Sequence, residues 1–243
     1  MAAGFSTTSW SLVLAARDGP TTESQEALAG LCEAYWFPLY AFVRRQGFDA
    51  EQSRDLTQGY FTALLEKRYL ESVEPGAGRF RSFLLVSLKH FLSKEREKAR
   101  AVKRGGRAQV ISLDGHRAEE RYAIEPVDRL DPETVFERRW ALTVLERAMS
   151  RLQREFAEAG KQRRFERLHG FLAGEEPRAP YRQVAAELGM SEGAVREAVR
   201  RLRQRFGQLL RQEISDTVAD PADVDEEVRH LLSVSGSRRG REA

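Results

Sequence analysis

The sequence predicts an all-α protein with two helical domains. Apolar residues recur at helical spacing along nearly all of its 243 residues, and no alternating or β-branched run indicates a strand. Hydrophobic residues make up 41% of the chain, which is enough to bury two small cores. An acidic stretch with little periodicity separates the two helical parts. From these changes we predict four segments: helical domains at 1–106 and 131–212, an extended linker at 107–130 and an acidic extension at 213–243.

Start and stop signals predict four helices in the N-terminal domain. The first runs from Trp10 to Arg17, and the second begins at Thr22 in a capping-box pattern and extends to Gly47. Pro38 is expected to kink or divide the second helix, because proline lacks an amide proton. Asp49 is placed to cap a third helix, and a fourth extends from about Arg79 to Val102. The buried stripe predicted for the third helix is Leu56, Tyr60, Leu64 and Leu65.

The C-terminal half carries three further helix signals. Asp131-Pro132 combines a capping residue with a proline at the first helical position, and predicts a helix to about Gly160. A short helix around Phe165 follows, and Asp220-Pro221 begins another short helix inside the acidic extension.

The stretch Tyr181–Phe206 has the pattern of a helix-turn-helix. Gly189 supplies a left-handed turn and Ser191 is placed to cap a second helix, which has an apolar stripe and a parallel stripe of arginines. Such a helix suits the major groove of DNA, with its N-terminal residues near base edges. An ordinary helical hairpin with a solvated arginine face is the alternative. The residues predicted nearest to DNA are Ser191, Glu192, Arg196, Arg200 and Arg203.

Charge is strongly segregated although the net charge is only +3. Residues 79–107 carry a local excess of basic residues, whereas 110–137 and 213–228 are acidic. Two separate basic regions indicate a polyanion that is contacted at two places. The acidic regions are either solvated linkers or internal competitors for those basic sites.

Residue types that support catalysis or metal binding are scattered. The histidines His90, His116, His169 and His230 lack ligand spacing, and Cys32 sits at an apolar helix position that favours a core role. No phosphate-binding loop or dinucleotide fingerprint is present. We therefore expect no enzyme activity, no cofactor and no metal. We also expect a monomer in a reducing cytoplasm without a membrane span or signal peptide.

Three blocks in order resemble the extracytoplasmic-function sigma factors of bacterial RNA polymerase, in the large variant found in planctomycetes. They are DLTQGYF at Asp55–Phe61, GRFRSFL at Gly78–Leu84 and the helix-turn-helix. The resemblance covers about 10–107, the promoter-melting part, and 132–212, the part that binds the upstream promoter element. It implies a nucleoid-associated protein whose partners are core RNA polymerase and promoter DNA, both double- and single-stranded.

The resemblance also implies roles for particular residues. Asp55 and Gln58 match positions that dock on the polymerase clamp, and the linker at 107–130 would thread toward the active-site channel. The side chains that would hold the melted promoter strand are Arg79, Arg81, Lys89, His90, Lys94, Arg96 and Arg100. Spacing makes the phenylalanines of this helix, Phe80, Phe83 and Phe91, core residues. A helix-turn-helix regulator that does not join polymerase remains the alternative, and a nuclease or recombinase lacks its expected nucleophile or carboxylate cluster.

Departures from the family suggest two modes of regulation. The polymerase-facing helix lacks acidic residues that many relatives carry, and hydroxyls stand nearby at Ser53 and Thr57. Phosphorylation by a Ser/Thr kinase would restore the lost charge, unless both are ordinary surface hydroxyls. An anti-sigma protein is a further candidate regulator. The helix after Asp220 either covers the arginine stripe as an autoinhibitor or packs as a satellite helix, with the carboxylates of 223–227 toward solvent.

Overall fold

The structure, a computed structural model, describes residue 10 and residues 21–65, 79–102, 130–172 and 180–236. Within these ranges the chain is all-α, as predicted, with eight α-helices, two short 3₁₀ helices (His169–Phe171 and Pro221–Asp223) and no strand. The predicted helix after Trp10 and nearly all of the linker at 107–130 lie outside the described residues. The α-helices are α1 (Thr22–Arg45), α2 (Ala50–Leu65), α3 (Phe80–Val102), α4 (Pro132–Glu158), α5 (Gln162–Leu168), α6 (Tyr181–Leu188), α7 (Glu192–Ser215) and α8 (Val224–Gly236).

The chain divides into two compact units. The first contains Met1–Thr143 together with Ile214–Ala243, and the second contains Val144–Glu213. The segments predicted from the sequence assign 131–143 to the helix-turn-helix domain and 213–243 to a separate extension. In the structure 131–143 and 214–243 group with the N-terminal helices, because they supply partners to the core of the first unit, whereas Glu213 belongs to the second unit.

Capping side chains begin the helices at or near the predicted positions. At the start of α1 the capping box joins Thr21 and Ser24, since each backbone amide donates to the other hydroxyl, at 3.0 and 3.1 Å. It therefore lies one residue before the predicted start. The carboxylate of Asp49 accepts from the Gln52 amide at 2.8 Å, as predicted for α2. Pro38 does not divide α1, which continues as one α-helix from Thr22 to Arg45.

Aromatic rings form the centre of the first unit. Phe80 is fully buried, and its ring centroid lies 4.8 Å from Trp10 and 5.1 Å from Tyr35. The Phe80 amide donates to the carbonyl of Thr217 at 2.9 Å, which fixes the chain before α8 against the start of α3. Cys32 is buried as expected, and burial raises the pKa of its thiol to about 12, so the thiol stays protonated at neutral pH.

A buried carboxylate stabilises the second unit. Glu213 is 8% exposed, and its oxygens lie 2.8 Å from guanidinium nitrogens of both Arg147 and Arg151. Burial alone would raise the pKa of Glu213, but the two guanidinium groups outweigh it and hold the pKa below its ordinary value of 4.5. The charged form of Glu213 is therefore favoured by folding.

The lowered pKa predicts an acid-sensitive contribution to stability. The contribution of Glu213 is present above pH 4.5 and is lost as the pH falls through its lower folded-state pKa. We expect Glu213→Gln to be less stable than the wild type at pH 7 and to lose less stability on acidification below pH 4.5. Thermal unfolding across this pH range measures both effects, with the exposed Glu158→Gln on α4 as the control. Parallel pH profiles for Glu213→Gln and the wild type would contradict this assignment.

Candidate nucleic-acid interface

The turn of the helix-turn-helix has the predicted geometry. Gly189 ends α6 in the left-handed region, at φ 63° and ψ 35°, and the Met190 amide donates to the Ala185 carbonyl at 2.9 Å. Ser191 then caps α7, because its hydroxyl oxygen accepts from the Ala194 amide at 3.2 Å. These contacts fix the direction in which α7 leaves the turn.

The left-handed turn gives a test of this geometry. A side chain at Gly189 would be strained by the positive φ, so Gly189→Ala is expected to lower the free energy of unfolding by about 1 kcal/mol. Gly193 is the matched control, since it lies in α7 with nothing within 4 Å of an added Cβ. Gly193→Ala is expected to leave stability unchanged or raise it, as measured by denaturant unfolding. Equal destabilisation by both substitutions would rule out a special role for the turn.

The apolar stripe of α7 is buried and leaves a different face in solvent. Val195, Val199 and Leu202 are at most 2% exposed. The exposed residues at the start of the helix are Ser191, Glu192, Gly193, Ala194, Arg196 and Arg200. We call this set the α7 face. Its position at the N-terminal end of the second helix matches the part of a helix-turn-helix that enters the major groove.

The two arginines of the α7 face are oriented by neighbours. The guanidinium of Arg200 donates two hydrogen bonds to Glu197, both 2.8 Å long, and its side chain is 63% exposed. Arg196 lies over the ring of Tyr181, 5.1 Å from its centroid. Both side chains therefore remain at the surface, where a phosphate or a guanine edge can replace or extend their present contacts.

Arg203 has a different environment from the one predicted. Its Nε and one terminal nitrogen donate to the Phe171 carbonyl, at 3.2 and 2.9 Å. This carbonyl ends the 3₁₀ helix His169–Phe171, so Arg203 holds that helix end against α7. Arg203 therefore has a contact within the fold although the residue is exposed, and its DNA contact stays a prediction.

Two arginines predicted to hold a melted strand are instead bound to carboxylates. Arg81 is 7% exposed, and its guanidinium forms ion pairs with Glu227 and Glu137 and lies 5.0 Å from the ring of Trp140. Arg79 pairs with Glu226 at 2.7 Å and with Glu227 at 3.1 Å. The prediction of Arg81 as a DNA contact is wrong, because buried cations of this kind are paired within the fold.

The exposed basic surface of α3 begins further along the helix. Lys89 pairs with Glu133 at 2.7 Å but stays 45% exposed, and His90 and Lys94 are also exposed. Arg96 lies over the ring of Phe48 at 5.1 Å and donates to Gln46 at 3.1 Å. The side chain of Arg100 lies outside the described residues. We call the exposed side chains of Lys89, His90, Lys94, Arg96 and Lys98 the α3 basic face; Glu95 and Glu97 lie between them.

The hydroxyls proposed as phosphorylation sites on α2 are buried. Ser53 and Thr57 are both 0% exposed, and the Thr57 hydroxyl donates to the Ser53 carbonyl at 2.7 Å. A kinase needs an accessible hydroxyl, so the phosphorylation hypothesis is wrong for this fold. The buried stripe of α2 runs through Ser53, Thr57, Tyr60, Phe61 and Leu64.

The buried stripe of α2 differs in part from the predicted one. Leu65, which was predicted to be buried, is 51% exposed, and Leu56 is only half-buried. On the outer side of the helix Asp55 is exposed and Gln58 is half-buried. The carboxylate of Asp55 is therefore available to a partner.

The acidic residues of α8 do not all face solvent as predicted. Glu227 is 0% exposed and forms the ion pairs with Arg79 and Arg81, whereas Glu226 is 60% exposed. Val228 and Leu231 are buried on the same helix. This arrangement favours the satellite-helix interpretation of the C-terminal extension, because α8 packs within the first unit.

Comparison with known protein families gives a match to one segment of the second unit. Residues 172–205 match the winged helix-turn-helix DNA-binding family, and the described part of this range consists of α6, the turn and the first half of α7. Comparison with curated proteins and with solved structures gives no significant match. Among the described helices, none combines the length and apolar character needed to cross a membrane. The geometry of 180–205 and the family match of 172–205 agree that this part of the chain contains a helix-turn-helix DNA-binding element.

Proposed function

We propose that the protein is a sigma factor of the extracytoplasmic-function type, which binds core RNA polymerase and directs promoter-specific initiation of transcription. The observation that carries the proposal is a second exposed basic face, on α3, in a unit other than the one that holds the helix-turn-helix. A regulator that only binds duplex DNA has no need of this second face. A sigma factor needs it, because it holds both duplex and melted promoter DNA.

The two faces differ in the chemistry that they offer to DNA. The α7 face presents Arg196 and Arg200 on the first half of a helix, which suits base edges and phosphates in a major groove. The α3 basic face presents lysine and arginine side chains along one helix, which suits the backbone of a single strand. We assign the upstream promoter element to the first face and the melted element to the second.

Core polymerase is assigned to the outer side of α2. Asp55 is exposed there and Gln58 is half-buried, so both can contribute to a protein interface. The polymerase-facing role of these two residues comes from the resemblance to the sigma family, and their exposure is compatible with it. Ser53 and Thr57 are buried and cannot supply a phosphate to this surface. Its negative charge comes from the exposed carboxylates of Glu51 and Asp55.

A helix-turn-helix regulator that does not join polymerase is the second candidate function. The family match supports DNA binding alone. In addition, pairing of Arg79 and Arg81 with α8 carboxylates removes two of the cations that the sigma interpretation assigned to the melted strand. Both observations are explained by a protein that binds only duplex DNA.

Run-off transcription on a fork-junction promoter separates the two functions. The chain is combined with core polymerase, and RNA synthesis is compared for the wild type, Arg200→Ala on the α7 face and Arg96→Gln on the α3 basic face. The sigma proposal expects promoter-dependent RNA that both substitutions reduce, with duplex binding retained by Arg96→Gln. Duplex binding by the wild type without any promoter-dependent RNA would exclude the sigma role and leave the regulator.

A further inference from the structure

A cavity of about 270 Å³ lies in the second unit, lined by the C-terminal end of α4, by α5 and by the middle of α7. Its apolar lining consists of Phe156, Leu168, Ala198 and Leu202. Leu168 and Leu202 are almost fully buried, whereas the ring of Phe156 is half-buried and lies 5.7 Å from that of Phe165. The Phe156 ring therefore contacts the core through Phe165 and keeps part of its surface exposed.

All charged side chains that line this cavity are basic: Lys161, Arg164, Arg201 and Arg205. Arg205 is neutralised by Glu155, through hydrogen bonds of 2.8 and 2.6 Å. Arg201 shares the carboxylate of Glu197 with Arg200. Among the described residues, neither Lys161 nor Arg164 is paired with a carboxylate. The cavity thus combines an apolar wall with two basic side chains, Lys161 and Arg164, that form no ion pair with another described residue.

The cavity and the α7 face occupy different sides of α7. Successive residues of a helix are separated by about 100°, which puts Ala198 and Arg205 nearly opposite Arg196 and Arg200, whereas Arg201 lies about 100° from Arg200. A ligand in the cavity would therefore leave the α7 face open. DNA that lies on the α7 face is therefore not expected to contact Ala198 or Arg205 on the far side of the helix.

We propose that this cavity binds a nucleoside polyphosphate, with the base against Phe156 and the phosphates on Lys161 and Arg164. Arginine and lysine are the side chains that bind phosphate most strongly, and an aromatic ring stacks on the flat face of a base. The volume of about 270 Å³ lies just below the range of small-ligand pockets, about 300–1,000 Å³, so the cavity would enclose only part of such a ligand. The phosphate groups of DNA could also bind Lys161 and Arg164, but a contact to the DNA backbone would not use the apolar wall of the cavity.

Calorimetric titration of the full chain at about 0.15 M salt tests the site, because screening at this ionic strength suppresses non-specific binding. The probes are ATP and inorganic triphosphate. We expect one saturable ATP site that Arg164→Gln and Lys161→Gln each weaken at least about tenfold. Phe156→Leu is expected to weaken ATP binding but to leave triphosphate binding unchanged, because only the base contacts the ring.

Arg154→Gln is the matched control, since Arg154 is an exposed arginine of α4 that does not line the cavity. It should bind ATP like the wild type, and circular dichroism should show that every variant keeps its helices. Absence of saturable ATP binding by the wild type overturns the proposal. If Arg154→Gln weakens ATP binding as much as Arg164→Gln does, the proposal is also overturned, since the affinity would then depend on the net charge of the protein. Titration with duplex DNA is the last measurement. If the wild type does not bind ATP and Arg164→Gln loses duplex binding, the basic side chains of the cavity would be assigned to the DNA backbone.

Discussion

Replacement of Glu227 by alanine is expected to lower the free energy of unfolding by about 3–5 kcal/mol, because it leaves a buried guanidinium without its main partner. Glu227 is 0% exposed and pairs with both Arg79 and Arg81. Arg81 is itself 7% exposed, so water cannot replace the lost carboxylate. Glu137 compensates only part of the charge, since its ion pair involves the other end of the same guanidinium.

Denaturant unfolding of the full chain measures this effect, and Glu226→Ala is its control. Glu226 is the preceding residue, also pairs with Arg79 and is 60% exposed, so its removal is expected to change stability little. Similar, small effects of both substitutions would show that α8 does not depend on the buried ion pairs. A large effect of Glu227→Ala alone would establish that the C-terminal helix is a structural part of the first unit.

Replacement of Arg200 by alanine is expected to weaken duplex binding by about 5- to 150-fold if its guanidinium reads a base, which is the range for one bidentate contact. The side chain of Arg200 is 63% exposed. The Glu197 carboxylate orients its guanidinium before DNA arrives, with two hydrogen bonds of 2.8 Å. The loss should therefore be confined to the preferred sequence.

Fluorescence anisotropy with a preferred and a scrambled duplex separates base reading from phosphate contact. A loss on both duplexes alike would assign Arg200 to the phosphate backbone. Arg154→Ala, which removes an exposed arginine of α4, controls for net charge. Unchanged binding of Arg200→Ala to both duplexes would contradict the assignment of the α7 face to DNA.

The helices could be predicted from the sequence because their signals are local. Asp49, Asp131, Ser191 and Asp220 all accept hydrogen bonds from backbone amides at the helix starts where capping residues were predicted. The left-handed turn at Gly189 was predicted for the same reason. Each of these features depends on a few neighbouring residues and not on the rest of the fold.

The environment of individual charged residues could not be predicted, because it depends on contacts between distant segments. Arg81 and Glu227 are 146 positions apart, and neither position has a local pattern that indicates a buried ion pair. Arg203 follows the arginine periodicity of α7, yet its guanidinium binds the carbonyl of Phe171 on another helix. Periodicity identified the faces of the helices but not the partners of their charges.

The burial of Ser53 and Thr57 could not be predicted from the spacing of apolar residues. Small hydroxyl residues can line a helix contact when their side chains bond to the preceding turn, as Thr57 does to the Ser53 carbonyl. A pattern that counts only apolar residues moves the predicted stripe toward Leu56 and Leu65, which the structure leaves half-buried and exposed. The exposure of Asp55 is compatible with its proposed place in a protein interface.

The affinity of the purified chain for core RNA polymerase tests the proposed function most directly. Asp55→Asn and Glu51→Gln each neutralise one exposed carboxylate of α2 and form a matched pair. The sigma proposal expects saturable binding by the wild type, a loss of at least about tenfold in Asp55→Asn, and unchanged binding in Glu51→Gln. Duplex DNA binding by a wild-type chain that has no affinity for core polymerase would contradict the proposal.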